Sequence, residues 1–319
     1  MTRPRGALAV VLWKDHIYAI GGHDGNSVQS SVEYTVVNPN GSLDTWQTTT
    51  SLGQARYALA AVAAAGRIYA VGGIDMDPVY GKNDLAVVES TVVNPNHSLQ
   101  SWTITTPMPT ARGRLALIIW QNQIYALGGS HTNSPLDTVE QSTIQQDGSL
   151  GAWQPAGGMT SMREGLAAVV WGNYIYAIGG RDYDSVTGFH ALKSIERAEI
   201  SANGTLGAWQ MMSPMQVSRY APAAVIVGNY LCVLGGSNAD NGGTDLNSVE
   251  IATINPDGSL GNWQFAIPMI SPRLAFGAVQ TQNNLYAVGG TTSTGILASV
   301  ERTGNALNTL YLFLPVVLK

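Results

Sequence analysis

The hexapeptide IYAIGG occupies residues 17–22 and returns at 175–180, with variants at 68–73 (IYAVGG), 124–129 (IYALGG), 231–236 (LCVLGG) and 285–290 (LYAVGG). A chain that writes one apolar run with a terminal glycine pair six times builds one unit six times. The pairs are Gly21 and Gly22, Gly72 and Gly73, Gly128 and Gly129, Gly179 and Gly180, Gly235 and Gly236, and Gly289 and Gly290. They are expected to serve structure, ending a strand where backbone must turn or approach other backbone closely. Sixteen residues before each pair stands an arginine: Arg5, Arg56, Arg112, Arg163, Arg219 and Arg273. After each pair comes a glutamate: Glu33, Glu89, Glu140, Glu196, Glu250 and Glu301. Thirteen residues beyond the first five glutamates stands a tryptophan (Trp46, Trp102, Trp153, Trp209, Trp263), and ten residues later the next arginine. Only the stretch from glycine pair to glutamate varies, at 12, 17, 12, 17, 15 and 12 residues. Three fixed intervals and one elastic one describe a folded module with one free loop.

Each unit reads as four short strands. The first is a small apolar run after the arginine (ALAVV at 7–11, ALAAV at 58–62, GLAAV at 165–169). The second is the IYAIGG run, the third surrounds the glutamate, and the fourth starts near the tryptophan. Turns such as NPNGSL, QQDGSL, SANGTL and NPDGSL join the third to the fourth, and Asn-Gly and Asp-Gly favour tight hairpins. A four-stranded sheet of this size cannot bury both faces alone, so the same apolar faces recur for packing against two neighbours. The architecture expected is all-β: a six-bladed β-propeller of four antiparallel strands per blade. Its repeats run over about 5–55, 56–111, 112–162, 163–218, 219–272 and 273–319 of a single domain spanning residues 1–319.

The apolar-Gly-Gly run, the later tryptophan and a period near 50 resemble kelch repeats, over essentially the whole chain. Where a kelch repeat has a tyrosine shortly after the glutamate position, this chain departs from the usual pattern. It has Thr35, Thr91, Ser142, Ala198, Ala252 and Thr303 there, and its third-to-fourth hairpin is longer. The resemblance implies a divergent, bacterial-type kelch propeller.

The sixth unit lacks the tryptophan. The matching position is Leu314, within LYLFLPVV. The five residues after Leu314 and the five up to Arg5 together restore the interval of ten, so both ends are expected at a junction between a fourth and a first strand. Residues 306–319 are read as the closing outer strand of blade six, or as a strand exchanged onto a neighbouring molecule for self-assembly. The opening residues do not read as a signal peptide.

Charged residues make up only 12% of the chain and the net charge is −5, with no Lys/Arg run. Nucleic acid is therefore a poor partner, and no apolar stretch is long enough to span a bilayer. A Ser/Thr/Asn-rich surface points toward a secreted or cell-surface location. The lone Cys232 replaces the motif tyrosine (Tyr18, Tyr69, Tyr125, Tyr176, Tyr286) and reads as a small core residue.

The six Arg and six Glu in fixed register read as repeated structural ion pairs. Functional residues are expected on the face of the second-to-third and fourth-to-first loops, where length varies. Arg114 stands where other units have Ala or Gly, and Glu164, Tyr57 and Tyr220 directly follow the repeated arginine. Tyr80, Tyr183, Phe189 and His190, in the long loops of units two and four, offer a sugar-stacking surface. Asp75 and Asp77, and Asp182 and Asp184, alternate in Gly-containing loops, and the loop of unit five offers Asp240 and Asp245; turn formation is the favoured reading over Ca²⁺ ligation. The five histidines (His16, His23, His97, His131, His190) lie scattered, without metal-ligand spacing. No cofactor is expected. Galactose oxidase-type chemistry needs a Cys–Tyr crosslink, which Cys232 is not placed to make. The function expected is a non-catalytic module binding a protein or glycan. A self-assembling structural protein and a sialic acid mutarotase-like enzyme using Arg114 and Glu164 are the alternatives.

Overall fold

The computed structural model describes residues 1–77, 81–238, 243–281, 284–303 and 316–318. It is all-β. Six four-stranded antiparallel sheets follow one another along the chain. The innermost strands (Ala9–Trp13, Ala60–Ala64, Ala116–Trp120, Ala167–Trp171, Ala223–Val227, Gly277–Gln280) pack side by side in a closed ring, the last against the first. Among the described residues no helix is long and apolar enough to cross a membrane.

Six separate cores lie between the blades. Along the second strand of blade one, His16–Ile20, Tyr18 and Ile20 pack toward blade two with Ile68 and Ala70. Ile17 and Ala19 pack the opposite way, toward blade six with Tyr286 and Val288. The period-two alternation of a strand thus feeds two cores at once, which is why the second strand is apolar at nearly every position.

The innermost strands start two residues later than their apolar runs suggest. The residues two after the repeated arginines are Ala7, Ala58, Arg114, Gly165, Ala221 and Ala275, and all six are left-handed, with φ between 49° and 58°. Each donates its backbone N–H to the equivalent carbonyl of the preceding blade, Ala58 to Ala7 and Ala7 to Ala275, so six hydrogen bonds close a belt around the axis. Left-handed backbone disfavours long side chains, and four of the six belt residues are alanine and one is glycine.

The glycine pairs end the second strands against the next blade, and the second glycine of each pair makes the same bond. Gly22 donates its N–H to the carbonyl of Arg56, Gly73 to Arg112, Gly129 to Arg163, Gly180 to Arg219 and Gly236 to Arg273, at 2.8–3.0 Å. Gly290 donates to Arg5 and so closes the ring. The second glycines are therefore not strand residues: each lies just beyond the end of its strand, as a link between blades. The first glycine of the pair makes that approach possible. Gly128 has φ +54°, and a Cβ there would lie 2.5 Å from the Arg163 carbonyl oxygen.

All six repeated arginines are fully buried, and each pairs with the glutamate of its own blade at 2.6–3.0 Å. Arg163 also donates to the carbonyls of Gly179 and Ser194. Glu196 in turn accepts from the backbone N–H groups of Thr160 and Ser161, so the pair pins the loop entering its blade. Burial pushes the Glu196 carboxyl up, but Thr160 and Arg163 outweigh it, leaving it below the ordinary glutamate value. Glu33 is lowered by the same balance: burial raises it, and Thr2 and Arg5 outweigh that. Carboxyls depressed in the folded state contribute stability that is present above the ordinary glutamate value and lost as pH falls through the lowered folded value. Urea midpoints measured across the acid range are therefore expected to fall in that window, and Glu196→Gln should flatten the slope.

The motif tyrosines stitch the blades together. Tyr18 donates to the His97 carbonyl, Tyr69 to Gly148, Tyr125 to Gly204, Tyr176 to Gly258 and Tyr286 to Gly41, each in the third-to-fourth turn of the next blade. Blade five carries Cys232 instead, and its neighbour is blade six, the one unit whose sequence has no N/D-G/H-S/T-L turn. The tyrosine is thus replaced at the seam where the next unit's sequence lacks the turn motif. Burial pushes the Cys232 thiol up to about 12.

At the departure from the usual kelch pattern, the Thr35, Thr91 and Ser142 hydroxyls donate to the carbonyls of Asp44, Gln100 and Gly151, tying down the longer hairpin. Trp102, Trp153 and Trp263 donate their ring N–H to carbonyls of the preceding blade (Thr50, Thr106, Ser213). Trp209 is buried without such a bond, and Trp46 packs at the seam with blade six.

Most of residues 306–319 lies outside the described residues. Val316–Leu318 pairs antiparallel with Val300–Arg302 of the same chain as a fourth strand. Val317 faces Glu301, sixteen residues on, where Glu33 faces Thr48 at fifteen, so one more residue separates the paired positions.

Candidate functional site

The variable loops form small ribbons over one face of the ring. Ile74–Asp77 pairs with Gly81–Asp84 in blade two, and Arg181–Asp184 with Gly188–Ala191 in blade four. These are the two long loops. Between them the belt opens into a central cavity of about 290 Å³, lined by the belt together with His23, Tyr57, Arg114 and Tyr220. An adjoining hollow of about 750 Å³ shares His23 and Tyr57 and extends to Gln54, Asp75, Met76 and Lys82.

Arg114 is the one belt residue with a long side chain, held at φ +54° on the rim of the channel. Its guanidinium donates to Ser130 Oγ at 3.0 Å and stands 3.6 Å from Glu164. Glu164 is 1% exposed and is held by Arg181 at 2.6 Å. Arg181 itself lies between two rings, 4.0 Å from Phe189 and 4.2 Å from Tyr220. One carboxylate thus serves two guanidiniums, and its close contact goes to Arg181. Arg114 faces the cavity with Glu164 Oε2 3.6 Å away, an oxygen without a hydrogen bond of its own. Tyr220 lies against Gly165, where a Cβ would meet its ring, so the belt glycine of blade four makes room for that ring.

Burial works against the charge of Arg114, but Tyr220, Glu164, Tyr57 and Asp84 outweigh it, and the guanidinium sits above its ordinary value. Burial pushes the Asp84 carboxyl up in spite of Thr132 and Arg114. It also raises the Tyr220 and Tyr57 phenols and lowers the His23 imidazolium. The cavity wall is aromatic and apolar with one cation directed into it, a setting that takes an anionic group.

The fold thus brings Arg114, Tyr57 and Tyr220 to one cavity and places Glu164 directly behind it. Tyr183 and His190 sit on the blade-four ribbon, away from the cavity wall; Tyr183 meets Phe189 edge-on at 5.1 Å and is half exposed. Tyr80 and Asp240 lie outside the described residues. Of the candidate acids, Asp184 caps a turn, accepting from the N–H groups of Val186 and Thr187. Asp75 accepts from Gln54, and Asp245 from the N–H of Ser293. Asp77 and Asp182 lie in ribbon strands. Among the described residues, Asp75, Asp182, Asp184 and Asp245 belong to no group that could hold a metal. Asn40, Asn96 and Asn203 cap their hairpin turns in the same way as Asp184.

His23, Ser130 and Arg181 escaped the sequence reading, although a signal existed. The residue after each glycine pair bridges the residue after each repeated arginine: Gly6 to His23, Tyr57 to Ile74, Gly113 to Ser130, Glu164 to Arg181. That fixed pairing predicts Arg181 as the partner of Glu164. The histidines are also less scattered than their spacing suggests, because the ring brings His16 and His97 face to face at 3.6 Å.

Comparison with known proteins matches the geometry. Residues 7–236 match the KLHDC2/KLHL20/DRC7 Kelch-repeats domain. The chain is 25% identical to beta-scruin of Limulus polyphemus over 281 residues, covering 87% of this chain and 30% of beta-scruin. It is 24% identical to Kelch-like protein 23 of Homo sapiens over 243 residues, 76% of this chain and 38% of that protein. The chain thus spans well under half the length of these relatives. The solved structure titled "Structure of YjhT" superimposes with a TM-score of 0.77 over 99% of this chain and 98% of that one, at 15% identity, a likeness of fold. The chain belongs to the kelch-repeat family and folds as a six-bladed kelch β-propeller.

Proposed function

We propose that this propeller is a non-catalytic protein-binding module whose central cavity captures an acidic side chain or a terminal carboxylate of its partner. Arg114 carries the reading: it is the only long side chain on a belt otherwise made of Ala and Gly, held in a backbone conformation that disfavours it. A cavity of about 290 Å³ lies at the lower end of ligand-pocket sizes. It suits one acidic group, and the adjoining hollow of about 750 Å³ has room for the chain that bears it. Glu164 speaks against proton transfer, because it is buried and ion-paired with both Arg181 and Arg114.

The test is selection from a displayed library of short peptides and, in parallel, from an array of glycans. Acidic peptides should be enriched, and binding should weaken with salt. Arg114→Ala should cut the affinity of selected peptides roughly ten- to hundredfold, the loss of one charge-assisted contact. The variant should fold, since Ala occupies the same belt position in four other blades. Selection of neutral sequences, or affinity unchanged in Arg114→Ala, would remove the proposal. Enrichment confined to acidic glycans would keep the cavity and change the partner.

A further inference from the structure

We propose that Asp15, His16 and His97 form a binding site for a zinc-like divalent transition metal at the seam between blades one and two. The seam lies on the face opposite the central cavity, where first strands turn into second strands and third into fourth.

The local sequence is unlike that of the other seams. In the third-to-fourth turns of blades one, three, four and five the equivalent residue is glycine, and in each case it rests against the start of the preceding blade's second strand. A Cβ on Gly148 would strike Arg67, one on Gly204 would crowd Gln123, one on Gly258 would strike Tyr174, and one on Gly41 would strike Asn284. Blade two has His97 instead, at φ +66°, a left-handed conformation uncommon for residues other than Gly, although His, like Asn and Asp, is enriched there. The residue beneath it is His16, and the two imidazoles lie parallel, 3.6 Å between centroids and 8° between planes. An imidazole has replaced the turn glycine at the one seam that also presents an imidazole below.

Three further observations turn this pair toward a metal. Asp15 Oδ1 lies 2.7 Å from His16 Nδ1. His97 Nδ1 is buried and has no hydrogen-bond partner. One ligand atom from each of the three residues falls within 4.8 Å of the others, the only such group among the described residues. Two imidazoles and a carboxylate suit Zn²⁺ and neighbouring first-row ions, whereas Ca²⁺ and Mg²⁺ prefer all-oxygen sites. Binding would swing the two rings out of their stack, so that an in-plane nitrogen of each and an Asp15 oxygen converge at the roughly 2.0–2.2 Å bonds of a zinc site. Three protein ligands leave a fourth position open, and the exposed Asp15 carboxylate gives entry from solvent.

The experiment uses the untagged full chain, with Zn²⁺ followed by calorimetry and Co²⁺ by its visible absorption. Wild type should bind one equivalent, and its melting temperature should rise with Zn²⁺ concentration. His97→Gly restores the residue that the other turns carry, so it should fold, yet it should lose both the cobalt spectrum and the melting shift. His16→Gln should lose them too, and it decides the matter if His97→Gly fails to fold. Absence of binding by wild type, or binding of unchanged stoichiometry and affinity in either folded variant, would overturn the proposal.

Discussion

Glu196→Ala is expected to destabilise the propeller by about 3–5 kcal/mol, the cost of leaving a buried charge without its partner. Arg163 is fully buried and within 2.7 Å of Glu196. The substitution strands that guanidinium and also releases the Thr160 and Ser161 N–H groups that the carboxylate accepts from. Water cannot readily replace these contacts, because both side chains are fully buried. The same change at Glu140 is expected to cost less. Glu140 is slightly more exposed, and its Oε2 has no hydrogen-bond partner, so fewer contacts are lost. Urea unfolding of both variants gives the order directly. Equal costs at the two positions would mean that the loop contacts contribute little beside the charge.

Gly128→Ala is expected to cost roughly 2–5 kcal/mol, from a left-handed backbone conformation and a clash that cannot relax. The clash is with the Arg163 carbonyl, and that carbonyl already accepts the Gly129 N–H. Moving it aside would break the bond between blades three and four. Gly228→Ala is the matched control. Gly228 has φ +61° but nothing within 4 Å of where a Cβ would sit. Only the conformational part, about 1–2 kcal/mol, should remain there. Denaturation midpoints for the two variants separate the two contributions. If Gly128→Ala cost no more than Gly228→Ala, the close approach of neighbouring backbone would not be what the glycine pairs serve.

The architecture was legible because each blade repeats the same physical problem. Buried faces, tight turns and close inter-blade approach fix the Gly-Gly pairs, the Asn-Gly and Asp-Gly turns and the Arg–Glu register at constant spacing. What repeated spacing could not reveal is where the ring brings different blades together. The bonds from Gly22, Gly73 and Gly236 to the next blade's arginine carbonyl are of this kind. Arg114 stood out by departing from the repeat, but the belt that strains it is made of hydrogen bonds between blades, invisible to local pattern. His16 and His97 are 81 positions apart and meet only because one blade's turn rests on the preceding blade's second strand. Glu164 departs from the repeat next to the channel mouth, but its burial behind Arg181 depends on a bridge that only the offset after Gly180 encodes. The innermost strands start two residues past the first residue of their apolar runs, because alanine in a sequence carries no mark of a left-handed backbone.

The most direct measurement is a crystal structure of the propeller with a selected acidic peptide. The proposal predicts a peptide carboxylate in the central cavity, within hydrogen-bond reach of the Arg114 guanidinium, with Tyr57 and Tyr220 beside it. A peptide held on the outer strands or on the opposite face, with the cavity unchanged, would contradict it.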